Sequence, residues 1–345
     1  MTETAKTKKQ FLIFLLIAYG VTYVMGILTW YGSTIPVEMS IFPSAQMFYP
    51  AAGVMLAYML TEEKDSLVPK WFYACFLLVT AAMIALCILS VAMPQQTVTM
   101  MEQSVSLWAV LSQYVIIGGS ILCWIPLLLS GKKRRAAYGL GWKKWKASFF
   151  CILVFLLLYF GRAAAAYAME GEPGAILEIL ADPSAWIYML FLVVNFFLAF
   201  TPFLGEEYGW RYYLQPLLQK RFGMRTGVLV LGVVWGVWHV FLDFFYYTTP
   251  DRGLVMLISQ MITCVALGIF FAWTYLKTDN IWVPVILHFL NNNLTLVIAN
   301  DYSVEVLENQ QVTWAMIPSA LILNGIFFGL FLLSKEFRRS HDKKL

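Results

Sequence analysis

The sequence predicts an all-α fold, a polytopic membrane helix bundle of about ten transmembrane helices with both termini cytoplasmic. Three observations carry that expectation. Of the 345 residues, 60% are hydrophobic and 13% charged, about half the charged share of an average soluble domain, and the mean hydropathy is +0.70. Apolar runs of about twenty residues, the length that crosses the hydrocarbon core of a bilayer, recur along the whole chain. The basic residues then fall on alternate sides of those runs.

Taken in order, the runs lie at 11–31, 42–61, 71–93, 107–129, 148–168, 186–213, 226–247, 254–276, 280–299 and 314–334. The first follows MTETAKTKKQ; it is too long for the apolar core of a cleavable signal and lacks a small-residue cleavage site, so it reads as a retained helix. With the N-terminus inside, the inward segments hold Lys6, Lys8 and Lys9, then Lys64 and Lys70, then the basic residues of GKKRRAAYGLGWKKWK. Arg211, Lys220, Arg221, Arg225, Lys277 and the tail KEFRRSHDKKL complete the set. Of the 24 Lys and Arg, only Arg162 and Arg252 fall outside, while the outer loops carry Glu38, Glu102, Glu170, Glu172, Glu178, Asp182, Asp301, Glu305 and Glu308. This is the positive-inside pattern. Topology and anionic lipid headgroups account for the basic loops, so membrane lipid is an expected partner and nucleic acid is not. The five cysteines, Cys75, Cys87, Cys123, Cys151 and Cys264, sit inside apolar runs without C-x-x-C spacing. They read as small buried hydrophobes rather than a disulfide or metal framework.

Runs one to five are chemically quiet apart from Arg162, which reads as a snorkelling or paired arginine. The second half is different. Of three histidines, His341 lies in the tail, while His239 and His288 fall in the middle of the seventh and ninth runs, and the stretch LGEEYGWRYYLQP puts Glu206, Glu207 and Arg211 in the sixth. Ionisable groups inside a membrane are costly and mark function by default, although polar side chains also serve as interhelical hydrogen bonds. Glu207 and Arg211 are four apart and can pair on one helix face, leaving Glu206 aimed elsewhere. His288 and Asn292 in VILHFLNNNL repeat that interval, as do Trp235 and His239 in VVWGVWHVF, with Asp243 one turn further on. Asp243 reads either as an orienting partner of His239 or as an acid near the outer interface. Pro202 should kink or loosen the sixth helix. At 1.5 Å per residue, His239 lies roughly 20 Å, His288 roughly 12 Å and Glu206 roughly 10 Å from the cytoplasmic helix ends, depths compatible with one cavity.

A carboxylate, two imidazoles and a carboxamide match peptide-bond hydrolysis by activated water: a poorly solvated glutamate as general base, histidine as its partner, and His and Asn as oxyanion donors. No Ser or Cys nucleophile with a neighbouring base is evident, so a covalent route is not favoured.

EEYGWR (Glu206, Glu207, Arg211) resembles the EExxxR motif of the CPBP intramembrane proteases, also called the Abi or type II CAAX protease family. WGVWH resembles its second motif, FxxxH, with Trp235 in place of the usual Phe and His239 at its end. HFLNN, His288 to Asn292, resembles its third, HxxxN. The resemblance covers about residues 186–300 and implies catalytic roles for Glu206, His239, His288 and Asn292, with Glu207, Arg211 and Trp235 in support. It divides the chain into helices 1–185 without a recognised motif, the protease-like segment 186–300, and the last helix with its basic tail, 301–345, within one membrane-embedded domain. The family is described both as metal-dependent and as metal-independent. Glutamate-activated water with no obligatory cofactor is the preferred expectation, and a divalent metal such as zinc, held by Glu206, His239 and His288, is the alternative. The short loops, the positive-inside pattern and the absence of organelle signals suggest a bacterial plasma-membrane protein. By the resemblance, its substrate would be a membrane-associated peptide or protein, cut in bacteriocin or peptide maturation or self-immunity. Two other classes stay open: a non-proteolytic membrane scaffold or bacteriocin-immunity protein on the same fold, and a proton-coupled transporter, although transporters usually place polar residues in paired halves.

Overall fold

The computed structural model describes residues 3–63, 66–100 and 102–338; Lys64 and the tail residues 339–345, part of the expected inward charge, lie outside the described residues. The fold is all-α apart from one hairpin. Helix α1 (Glu3–Gly32) winds as a π-helix through Leu16–Val21. A short helix Ile41–Gln46 precedes α2 (Tyr49–Thr61), which carries Pro50 in its first turn, where the missing N–H has no partner to lose. Then come α3 (Lys70–Ala92), the antiparallel strands β1 (Thr97–Met100) and β2 (Gln103–Ser106), paired with Thr97 opposite Ser106, and α4 (Leu107–Leu129). The hairpin was not anticipated: four-residue strands of Thr, Val, Ser and Gln are too short to show an alternating pattern.

Helix α5 (Trp145–Met169) is followed by a short helix Ala175–Ala181, bent by 73° from α6 (Pro183–Leu198). Asp182 occupies the bend, its carboxylate accepting from the Ser184 amide at 2.8 Å, and Pro183 opens α6 at the position that tolerates it. Next are α7 (Phe200–Glu207), a π-helical turn Tyr208–Leu214 and a helix Gln215–Phe222. Helix α8 (Met224–Val237) gives way at Trp238 and His239 to a short helix Val240–Phe245. The chain ends in α9 (Gly253–Thr278), α10 (Trp282–Ile298), α11 (Ile317–Phe327) and 3₁₀ turns.

Among the described residues six helices are long and apolar enough to cross a membrane, or seven if the bent pair is one span. The ten expected runs are largely helical, but four of them are not among these long helices. Run 42–61 turns at Met47 and Phe48 between its two helices. Run 186–213 breaks at Ala199, because the Pro202 ring would meet the carbonyl of Leu198 four residues back if the helix continued. The break therefore precedes the proline by three residues, and Pro202 sits in the first turn of α7. The last two runs give the shorter helices α10 and α11. The protein is a multi-pass membrane protein, and its exterior agrees: Leu78, Leu128, Leu157, Leu190 and Phe191 are all exposed, as lipid-facing side chains are and as a water-facing surface rarely is.

Contacts divide the chain into two compact units, Met1–Gly141 with Phe197–Gly209, and Trp142–Phe196 with Trp210–Leu345. In the first, Phe14, Phe48, Phe72 and Phe76 form a buried core. Hydroxyls tie the segment Phe197–Gly209 into it: Ser120 to Thr201 at 2.8 Å, Tyr73 to Tyr208 at 2.7 Å, and Tyr208 donating to the Tyr138 carbonyl at 2.8 Å. In the second, α5 and α10 are zipped by tyrosines. Tyr159 donates to the Asn291 carbonyl at 3.2 Å and Tyr167 to the Ile298 carbonyl at 2.7 Å. At the other end of α10, the buried Asn280 amide donates to the Lys143 carbonyl and the Ser148 hydroxyl. Phe155, Phe270 and Phe328 fill the space between, with ring centroids 5.6–6.0 Å apart.

Candidate active site

In the second unit, α8 packs closely on α9 because Gly236 has no side chain: a Cβ there would stand 2.6 Å from Met261 Cγ and 2.8 Å from its Cα. The α-helix ends one residue later. His239 N bonds back only three residues, to the Gly236 carbonyl at 3.1 Å, and this tightened turn brings its ring onto its own helix: His239 Nδ1 lies 2.9 Å from the Trp235 carbonyl oxygen. A carbonyl only accepts, so Nδ1 carries the proton and Nε2 keeps the free lone pair. That is the tautomer a general base or a ligand requires.

Trp235 is the hub. Its indole meets the His239 ring at 6.2 Å and the His288 ring at 5.5 Å, edge to face in the latter case. The guanidinium of Arg211 lies over the Trp235 face at 4.5 Å and over Phe271 at 5.5 Å. Arg211 is fully buried, and His239 and His288 are 7% and 5% exposed, so this stacking acts on a desolvated cation, where it is strongest. The structure thus brings together Arg211, Trp235, His239 and His288 from three stretches distant in sequence. Trp238 closes the far side of His239 at 5.0 Å. Asn292 lies one turn beyond His288 on α10, half-buried, its Oδ1 accepting from Asn291 Nδ2 at 3.1 Å.

Glu206 and Glu207 belong to the first unit, where they close α7. Both are buried, at 2% and 0% exposed, directly after Gly205, whose absent side chain lets α7 press onto the backbone of Met47 and Phe48. The same helical stretch, turning π-helical at Tyr208, carries Arg211 into the second unit.

One expectation is corrected. Asp243 does not orient His239: it is fully buried, neither carboxylate oxygen has a hydrogen-bond partner among the described residues, and the His239 Nδ1 site is taken by the Trp235 carbonyl. Residue spacing indicated the shared helix face but could not reveal the turn at Trp238 and His239, where Nδ1 meets the Trp235 carbonyl instead. Arg162, expected to snorkel or to pair, joins no ion pair among the described residues. Its guanidinium stacks on Tyr159 at 5.5 Å, and its Nε is buried without an acceptor. All five cysteines are free thiols, four of them buried. Among the described residues no group of three or more His, Cys, Asp or Glu is arranged to hold a metal ion.

Residues 184–294, which contain every one of the motif residues above, match the family described as type II CAAX prenyl endopeptidase Rce1-like. This segment resembles that family. The CAAX prenyl protease 2 of Methanococcus maripaludis is 26% identical over 123 residues, 34% of this chain and 45% of that protein. The aligned part therefore spans less than half the length of the curated relative. No solved structure matches. The resemblance read from EExxxR, the aromatic-x-x-x-His pair and HxxxN is thus matched by the Rce1-like segment as a whole, over about a third of the chain.

Proposed function

We propose that this protein is an intramembrane endopeptidase that hydrolyses a peptide bond of a membrane-associated peptide or protein. Glu206 takes a proton from water as the oxygen attacks the scissile carbonyl carbon, while the His239 Nε2 lone pair accepts a hydrogen bond from the same water; as the C–N bond breaks, the proton held by Glu206 passes to the leaving amine. His288 and the Asn292 carboxamide donate to the oxyanion of the tetrahedral intermediate. Glu207 and Arg211 hold the helical stretch that carries Glu206. The observation that supports the reading best is that the two intramembrane histidines pack on one indole, Trp235, together with the arginine of EExxxR. A role in bacteriocin or peptide maturation or self-immunity, in a bacterial plasma membrane, belongs to the same proposal and is supported by the short loops and the inward bias of positive charge.

The test is cleavage of a quenched fluorescent peptide library, with and without farnesyl groups, by the purified protein in detergent. Native protein should cleave, and Glu206→Ala should lose about 10³-fold in rate, the scale of a lost general base. A chelator arm separates the two descriptions of the family: loss restored by zinc assigns Glu206, His239 and His288 as ligands, and unchanged rate assigns glutamate-activated water. Cleavage that survives Glu206→Ala overturns the proposal.

A further inference from the structure

Asn195 is a carboxamide inside the apolar helix α6, and neither the proposed reaction nor the fold uses it. The protected positions of this helix, Ala185, Tyr188, Met189, Leu192, Asn195 and Phe196, recur every three or four residues, while Leu190, Phe191 and Val194 between them are exposed. Asn195 therefore stands on the stripe turned toward protein and not on the lipid-facing side. It is half-buried and makes no hydrogen bond among the described residues. Ring pairs identify the element it faces. Phe196 meets Phe289 of α10 edge to face at 5.4 Å, and Tyr188 meets Tyr302, just beyond α10, at 4.9 Å, so the two helices run antiparallel along this seam. Phe289 adjoins His288, and the same face of α10 continues one turn later into Asn292 and Asn293, both half-buried. Asn292 Oδ1 is taken by Asn291, and Asn293 Nδ2 by the Phe289 carbonyl at 2.8 Å. The Asn195 carboxamide thus enters the α6–α10 seam within about one helical turn of the His288–Asn292 stretch.

An amide out of water without a partner is costly, and in a membrane helix such a group ordinarily bonds to a neighbouring helix. We propose that Asn195 binds the main chain of the peptide substrate, holding an extended residue of it between α6 and α10 beside the His288–Asn292 turn. A carboxamide donates and accepts at once and carries no charge, so it matches a peptide group and is indifferent to side-chain identity. A substrate peptide group is open to such a contact only where the segment is not helical, because a helix bonds its own N–H and C=O groups internally. The inference rests on the peptide-hydrolysis reading, and it makes the substrate class a segment that is extended next to the cut and recognised through its backbone.

The experiment is fluorescence anisotropy on full-length protein in detergent, in the Glu206→Ala background so that binding is read without turnover. The probe is the labelled library peptide that native protein cuts fastest or, if it cuts none, the one that Glu206→Ala binds most tightly. It is compared with versions N-methylated at each successive peptide nitrogen, which removes one main-chain donor at a time. At one position N-methylation should weaken binding about five- to tenfold, the range of a single hydrogen bond. Adding Asn195→Leu should weaken the unmethylated peptide by the same factor and erase the penalty at that position alone. The Asn195→Leu protein should also unfold at a temperature no lower than its parent, because no hydrogen bond within the protein is lost. A loss of thermal stability assigns the carboxamide to a structural partner and overturns the proposal. So does an N-methylation profile that Asn195→Leu leaves unchanged, equal binding of the unmethylated peptide with and without Asn195, or binding of no library peptide at all. If native protein cuts none of the peptides and the penalty still vanishes with Asn195, the hydrolysis reading falls while the main-chain contact stands.

Discussion

Trp235 stands where the related motif carries Phe, and the geometry explains why either ring serves. What the position supplies is an aromatic face for the buried Arg211 guanidinium, 4.5 Å away, and a ring against which both imidazoles pack. A cation over an aromatic face contributes about 0.5–2 kcal/mol, and Trp is the best of the three rings. Trp235→Phe should therefore keep cleavage within a few-fold of native. Trp235→Leu should lower it by at least about tenfold and destabilise the protein by about 3 kcal/mol, as large-to-small core changes do. Initial rates and thermal unfolding in detergent check both, and a Leu variant as active as the Phe variant would remove the stacking from the argument. Glu206, His239 and His288 stand out as candidates in the sequence because charge and imidazole are rare in apolar helices, and Asn292 through its four-residue spacing from His288. The hub does not, because an aromatic four residues before a histidine looks the same whether it packs or stacks on a cation that arrives from another helix. Asp243 misled for a related reason: the four-residue spacing assumed a regular helix where His239 in fact sits at a break.

Helices α7 and α4 show the same contrast one level up. Lengths of uninterrupted apolar helices were legible almost to the residue: 107–129 was expected and Leu107–Leu129 is found. Interruptions were legible only where proline announces them, and even then the break at Ala199 falls a turn ahead of Pro202. Close approach was invisible, since a glycine in an apolar run reads as filler. Gly205 is where it matters most, because a Cβ there would stand 2.9 Å from Phe48 Cα and closer still to the Met47 carbonyl. Backbone cannot swing aside as a side chain can. Gly205→Ala should destabilise the protein by about 1–3 kcal/mol, the cost of overpacking, and weaken cleavage by disturbing the carboxylates that follow it. Gly118 on α4 has nothing within 4 Å of a Cβ, so Gly118→Ala should leave stability unchanged or raise it by up to about 1 kcal/mol through helix propensity. Paired unfolding curves decide; equal effects at the two glycines would mean that the packing of α7 on Met47 and Phe48 is not as tight as described.

For the molecule as a whole, the expected topology rests on charge, since among the described residues six or seven helices are long enough to cross and the others are short or broken. The alternation is a strict constraint, because adding or dropping one crossing inverts the side of everything after it, and the inward bias of Lys and Arg would then be scrambled. The decisive stretch runs from Glu170 to Arg225. It contains the 73° bend at Asp182, the break at Ala199 and the π-turn Tyr208–Leu214, yet it has to cross once for Lys220, Arg221 and Arg225 to share a side with Lys132 and Lys133. Single cysteines placed at Lys133, Glu172, Arg225 and Asp301, in a variant with the five native cysteines replaced by serine or alanine, report this directly through a membrane-impermeant thiol reagent on whole cells. Glu172 and Asp301 positions should label, and Lys133 and Arg225 positions should label only after the membrane is opened. Labelling of Arg225 on the same side as Glu172 would make the stretch re-entrant and reduce the crossings to an odd number. The C-terminal tail would then lie on the face opposite the N-terminus.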